Sequence, residues 1–316
     1  VQAETVQEAV RLLREPGIKS QIIAGGTDVI PGIRQGVYAP AQLISLAKIA
    51  SMRSIVQDGD VIRIGAGVTL TSLAQNDILR KHFPRLESAI SQIATPIIRN
   101  RASIAGDLCQ EKRCWFFRSA TRCYRFAGPT CPCYAVLGEN RHHSILGTGR
   151  CAAPCVSDMA PILAALDAEL AVVGSSRVGK IAVEDLYVWA GETVLEADEL
   201  ITEISLPVPQ ERSAFHFEKY ARWVGDFAEA SAAVHIAGRR TRLGRVAISL
   251  GGVAPKPIRI RAAEELLTSR PLSSGLIEEA AKSVVYGALP MRDNAYKVEL
   301  TVNVARRAIE AAVDML

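Results

Sequence analysis

Apolar positions along residues 3–15 fall at Val6, Ala9, Val10, Leu12 and Leu13. That spacing predicts a helix with one buried face, starting near Glu4 or Thr5 and ended by Gly17. A short apolar run at 21–24 predicts a buried strand that leads into Gly25-Gly26-Thr27-Asp28. Further strands are expected at 41–46 and 61–66, and residues 69–73 open a helix. Residues 84–95 predict another helix, with Leu86, Ile90 and Ile93 on one face and Pro96 as its stop. The small residues of 101–108 predict a loop. A helix at 158–168, a strand at 170–173, a turn at 174–176 and an alternating strand at 199–206 follow. Pro207-Val208-Pro209 then closes the unit. Beyond it, strands are expected at 214–220, 230–238 and 246–251, and helices near 261–269, 275–287 and 293–314.

Residues 109–155 match neither periodicity. They contain Gly128-Pro129, Cys131-Pro132-Cys133, Gly138 and Gly147. A loop of that length inside a compact domain is usually functional or disordered. Trp115, Phe116, Phe117, Tyr124, Phe126 and Tyr134 argue against disorder, so the segment reads as a loop folded around a ligand. All 7 cysteines of the chain lie between Cys109 and Cys155. A secreted disulfide scaffold would be small and cysteine-dense throughout. Clustering in one stretch of a larger chain favours a metal or iron–sulfur site over inert thiols or disulfides.

Composition narrows the classes. The chain has 316 residues, 49% hydrophobic and 22% charged, an ordinary globular balance. A net charge of +4, from 37 basic and 33 acidic residues, is too small and scattered for a nucleic-acid footprint. No apolar run reaches the roughly 18–20 residues of a membrane span, and no signal-peptide pattern is visible. The expected location is cytoplasmic, with export bound to a partner chain left open.

Four stretches occur in a telling order: Ala24-Gly25-Gly26-Thr27-Asp28, Arg63-Ile64-Gly65-Ala66-Gly67, Ser157-Asp158-Met159-Ala160-Pro161 and Gly252-Val253-Ala254-Pro255-Lys256-Pro257. With the C-terminal pattern, this set resembles the FAD-binding medium subunit of the xanthine dehydrogenase and carbon monoxide dehydrogenase family of molybdenum hydroxylases. The resemblance runs from about residue 3 to the C-terminus. It implies an α+β fold, with a two-part FAD-binding domain over 1–208 (subdomains about 1–50 and 51–208) and a smaller α+β domain over 209–316. The cysteine-rich insertion at 109–155 resembles that of the 4-hydroxybenzoyl-CoA reductase flavin subunit, which carries a [4Fe–4S] cluster there. Some bacterial aldehyde oxidoreductases have a similar insertion.

The resemblance implies site residues. Ala24, Gly25, Gly26, Thr27 and Asp28 match the first phosphate loop, where glycine lets backbone N–H groups approach an anion. Ser103, Gly106 and Asp107 fall in the second loop. There the family usually has two glycines followed by asparagine, and this chain has Ala105 and Asp107 in place of the first glycine and the asparagine. Aspartate lacks the amide donor and adds charge. Asp158 matches a flavin-contacting position, and Lys219 resembles a lysine near the flavin; the plain alternatives are a helix-start carboxylate and a solvated strand-end lysine. The implied cluster ligands are Cys114, Cys123, Cys131 and Cys151, with Cys133 the main rival and zinc the competing metal. Trp115, Phe116, Phe117, Tyr124 and Phe126 are expected to shield the cluster, and His142 and His143 to be surface or packing residues.

The implied function is electron transfer. FAD and the [4Fe–4S] cluster would link [2Fe–2S] clusters of a small partner subunit to an external carrier such as ferredoxin, with molybdopterin on a large subunit. No catalytic residue of this chain need touch the organic substrate. The alternatives are the flavin subunit of an aldehyde oxidoreductase or of an N-heterocycle or xanthine dehydrogenase, a free-standing FAD enzyme, and a metal-stapled assembly subunit without flavin.

Overall fold

The computed structural model describes every residue except 120–122, 129 and 211. The chain begins with the helix Val6–Leu13, whose N-cap Thr5 accepts from the Glu8 backbone N–H. Its buried residues Ala9, Val10 and Leu12 pack over a parallel pair of strands, Ser20–Ile23 and Gln42–Ser45. A short helix, Val29–Arg34, lies in the crossover between them.

A five-stranded antiparallel sheet follows, in the order Ile55–Asp58, Val61–Gly65, Leu200–Pro207, Glu169–Val173, Val178–Ala182. Between its second and third strands in sequence come the short helices Leu70–Ala74, Asp77–His82, Leu86–Ser91, Pro96–Arg99 and Ile104–Leu108. Two of these depart from the expectation. Pro96 opens a helix instead of ending one, because at the first helical position its missing N–H has no partner to lose. Residues 104–108 are helical, capped by the Ser103 hydroxyl accepting from the Gly106 N–H.

The C-terminal part is an antiparallel sheet of Ser213–Tyr220, Ala230–Arg239, Arg242–Gly251 and Ile258–Arg259. Helices Arg261–Ser269, Ser274–Ser283 and Tyr296–Met315 accompany it, the first packing on Arg242–Gly251 and the last on the two strands before it. The sheet divides two hydrophobic cores. Phe215, Phe217, Ala233 and Ala247 belong to the core of the first part, whereas Ala214, Ala232, Val234, Ile236, Val246 and Ile248 belong to the core under the C-terminal helices. Alternate residues of a strand point to opposite faces, so this sheet is apolar on both sides. The helix Met159–Ala165, buried at all of its residues, packs against the sheet from the first core. Among the described residues no helix is long and apolar enough to cross a membrane.

Candidate functional site

The strand Ser20–Ile23 delivers the chain into the first glycine loop. A Cβ on Gly25 would overlap the Arg101 carbonyl group, so glycine is required there by the crossing of two backbones. Gly26 has φ +78°, the left-handed region that glycine enters without a steric cost. The second loop is stitched to the turn before Leu70–Ala74. Leu70 N–H donates to Ala102 O at 2.9 Å, and Ile104 N–H to Val68 O at 2.9 Å.

Three cavities run along these loops. One of about 390 Å³ lies between Ala24, Gly25, Arg53, Gly67, Thr69, Asn100, Arg101 and Ser103. The next, about 320 Å³, is walled by Gly25, Gly26, Thr27, Asp28, Tyr38, Ser103, Gly106, Gln110 and Gly191. A third of about 140 Å³ is reached past Thr27, Asp28, Gly106 and Gln110, and ends at Asp107, Asp158 and Phe227. Neighbouring cavities share walls, so the glycine loops form the spine of an elongated groove. Nine of the ten cofactor candidates from the sequence line it. The tenth, Lys219, donates to Asp158 Oδ2 at 2.6 Å and to Gln92 O at 3.1 Å. Its side chain is 2% exposed, so it is a buried ion-pair partner and not a solvated strand-end lysine. Sequence reasoning missed Arg53, Tyr38, Asn100 and Gln110, which carry no local motif.

Asp107 turns inward. Its carboxylate accepts from the Ser157 hydroxyl at 2.5 Å, from the Met159 N–H at 3.2 Å and from Gln110 Nε2 at 3.0 Å. It thereby holds the start of the helix Met159–Ala165. Burial pushes its pKa up to about 6, with Asp158 adding to the rise and the Ser157 and Met159 hydrogen bonds opposing it. Burial also raises Asp158, against the pull of Lys219.

Asp28 reaches the other way, into the cysteine segment. It pairs with Arg113 at 2.7 Å and Arg118 at 3.1 Å, and accepts from the Glu111 N–H at 2.9 Å. The first loop and the segment are therefore braced together.

Within 109–155 the structure has two short helices, Trp115–Arg118 and Tyr124–Ala127. Cys151, Tyr124, Ala153 and Ala190 form a small buried cluster with Cys114, Cys131 and Trp189 packed on it. Cys123 is buried and precedes Tyr124 at the start of its helix. Burial pushes the Cys114 thiol up to about 11 and raises Cys151, which the nearby Lys112 ammonium pulls back down. Cys133 raises both and so lies within electrostatic reach of them. Cys155 belongs to the main core. Among the described residues no three Cys, His, Asp or Glu side chains converge on a single ion. Cluster thiolates each hold a different iron and stand farther apart than the ligands of one ion, and Cys114 and Cys131, packed on the buried group that contains Cys151, are the donors such a cluster would use. The aromatic shell is only partly as expected: Phe117 and Tyr124 are buried, whereas Trp115 is 72% exposed. His143 is buried with Nε2 3.3 Å from Cys114 Sγ, and His142 Nδ1 meets Glu229 at 2.5 Å.

Comparison with known proteins accords with this arrangement. Residues 1–209 match the FAD-binding domain in molybdopterin dehydrogenase, and residues 215–312 the CO dehydrogenase flavoprotein C-terminal domain. The chain is 31% identical to the aldehyde oxidoreductase FAD-binding subunit PaoB of Escherichia coli (strain K12), over 93% of this chain and 91% of that one. It is 24% identical to the carbon monoxide dehydrogenase medium chain of Hydrogenophaga pseudoflava, over 98% of this chain and 94% of the other. The solved carbon monoxide dehydrogenase from Hydrogenophaga pseudoflava lacking its Mo-pyranopterin moiety shares the fold, with a TM-score of 0.81 at 24% identity, covering 99% and 96% of the two chains. A groove along two crossing glycine loops, and a family match across both parts of the chain, place this protein among the FAD-binding medium subunits of the molybdenum hydroxylases of the xanthine and carbon monoxide dehydrogenase family.

Proposed function

We propose that this subunit holds FAD along the groove between loops 24–28 and 103–107 and relays electrons between the clusters of its partner subunits and an external carrier. The observation that carries this reading is the run of cavities whose spine is the two glycine loops. Gly25 presents backbone without a side chain to the first cavity, and the polar walls at Arg53, Thr69 and Asn100 suit a pyrophosphate. The buried Lys219–Asp158 pair and Asp107 fix the far end. FAD, when bound, couples one- and two-electron transfers, while the protein supplies orientation and electrostatics. The proposed partners are a large molybdopterin-binding subunit, a small [2Fe–2S] subunit and a ferredoxin-like carrier. The FAD-binding unit is proposed to span 1–208 and the C-terminal unit 209–316.

The insertion is proposed to hold a [4Fe–4S] cluster through Cys114, Cys123, Cys131 and Cys151, supported by their grouping around Tyr124. For the complex as a whole, an aldehyde-oxidising role stands beside the 4-hydroxybenzoyl-CoA reductase-like one, because PaoB, an aldehyde oxidoreductase subunit, is 31% identical over 93% of this chain.

Anaerobic purification followed by flavin and iron counts tests both parts. One flavin and about four irons per chain are expected. Flavin without iron removes the cluster and leaves the flavoprotein. Iron without flavin would mean that the groove, with Ala105 and Asp107 in its second loop, does not hold FAD.

A further inference from the structure

Lys112 is the anomaly of the insertion. It is 1% exposed, among the largest fully buried side chains of the protein. Its Nζ donates to Tyr124 Oη and to the Ala190 carbonyl, both at a long 3.4 Å. The ammonium lies over the rings of Phe117 at 4.8 Å and Tyr124 at 5.1 Å. Among the described residues no carboxylate comes within ion-pair distance of it. The two acids nearest in the network are committed elsewhere. Glu111 pairs with Arg125 at 3.0 Å, and Glu192 takes the Tyr124 hydroxyl at 2.6 Å and Arg125 at 3.5 Å.

A buried ammonium without a counter-charge is strongly unfavourable, and two aromatic faces offset only part of the lost hydration. Buried charges in folded proteins are paired or lie against a metal centre. Tyr124 and Ala190, the groups Lys112 touches, belong to the same small cluster as Cys151, with Cys114 and Cys131 packed on it. Cys151 lies within electrostatic reach of the ammonium, which pulls its thiol pKa down.

We propose that Lys112 is the counter-charge of the thiolate-held iron–sulfur cluster and raises its reduction potential; this rests on the cluster assignment above. The cluster gains one electron from a one-electron donor, no bond forms or breaks, and the site becomes one unit more negative. A fixed ammonium beside Cys151 favours that more negative state. Charge and hydrogen bonding near the sulfurs are the protein's means of setting such potentials.

The test is an anaerobic redox titration of the intact complex, with the reduced cluster followed by electron paramagnetic resonance. Iron in the wild-type complex is counted first, and an iron-free wild type overturns the cluster assignment and this proposal with it. With iron present, Lys112→Met removes the charge at similar volume, and Lys112→Arg keeps it. The expected result is a midpoint lowered in Lys112→Met by about tenfold in the reduction equilibrium, ~59 mV for one electron, with flavin content unchanged. Lys112→Arg should stay near wild type. Loss of iron from the methionine variant alone would also support the charge requirement. An unchanged midpoint in a fully loaded Lys112→Met complex overturns the role of Lys112 and leaves the cluster in place. Equal loss of iron from both variants, with flavin retained, overturns it too, because shape and not charge would then be what matters.

Discussion

Loops 24–28 and 103–107 are held by backbone: main-chain hydrogen bonds, one hydroxyl cap and a glycine that lets one chain cross another. Residues 109–155, immediately beside them, have backbone hydrogen bonds of their own, and add long side chains that anchor the segment to distant parts of the chain. Arg113 and Arg118 reach back to Asp28, Arg125 joins Glu111 to Glu192, and Lys112 sits among aromatic rings. The contrast follows from what each region must do. A phosphate loop needs free N–H groups in fixed positions, which a short backbone framework supplies at little cost in variety. A cysteine-rich segment inserted into an existing fold needs anchoring to it, and here long side chains reach across to supply it.

The sharpest way to break the comparison is at Gly25. Gly25→Ala drives a methyl into the Arg101 carbonyl, and neither backbone can yield without parting the loops. Flavin content should collapse, and stability should fall by about 3 kcal/mol, the upper range for overpacking. Absorbance per chain and thermal unfolding report the two effects. Full flavin loading would show that the loops do not cross as described.

In the second loop the backbone framework also depends on a titrating side chain, Asp107, which accepts from Ser157 and Met159. Its folded-state pKa of about 6 lies above the ordinary 3.8, so the folded chain binds the proton more tightly than the unfolded chain. The stability from that proton is fully present below about pH 4 and lost as pH rises to about 6, amounting to roughly 3 kcal/mol. Asp107→Asn can still accept from Ser157 and Met159 and should abolish this slope, leaving the variant more stable than wild type at pH 7.5. Denaturant unfolding at pH 4 and pH 7.5 measures it. Equal pH dependence in the two proteins would mean that Asp107 titrates normally.

The two regions also differed in how far the sequence disclosed them. The helix at 261–269 occurs with the same ends, Arg261–Ser269, because its apolar face is a local feature. The strand Ile55–Asp58 was not anticipated: it is an edge strand with three of four residues exposed, so no alternation marks it. Residues 104–108 look like a loop, since Ala105 and Gly106 are small. Their helix is set by the Ser103 cap and by packing against Met159–Ala165. In the groove, the glycine motifs pointed to their own positions, while walls such as Arg53 and Tyr38 arrive through topology. In the insertion, the cysteines mark the segment in the sequence, but the side chains that anchor it do not lie in a local pattern. Asp28 is 85 residues before Arg113 in the chain, and the Glu111-Lys112-Arg113 charge run ahead of Cys114 was the only signal of the buried ammonium.

Asp28 joins the two regions, so its variant sharpens the comparison directly. Asp28→Asn keeps an acceptor for the Glu111 N–H but loses the charge that pairs with Arg113 and Arg118. The expected loss is about 2 kcal/mol, below that of a fully broken buried pair because Arg113 retains partial solvent access. Hydrogen exchange should quicken across 109–118 while residues 20–26 and 102–106 stay protected. Uniform quickening across both would mean that the loops need the insertion to stand.

The smallest effect is expected at His143, and it separates a structural insertion from a redox one. Its ring is buried, Nδ1 has no partner, and Nε2 lies 3.3 Å from Cys114 Sγ. Burial pushes its pKa down to about 4, so above that the ring is neutral and carries one N–H. If Cys114 is a thiolate on iron, that N–H donates to the sulfur and favours the reduced cluster. His143→Phe then lowers the midpoint by about threefold in the reduction equilibrium, less than a full charge does. If Cys114 is a free thiol, it donates to the ring instead, and the same variant changes stability by about 1 kcal/mol with no redox consequence. A midpoint that moves in the same direction in His143→Phe and Lys112→Met, but by less in the former, is what two polar groups facing one set of sulfurs should produce.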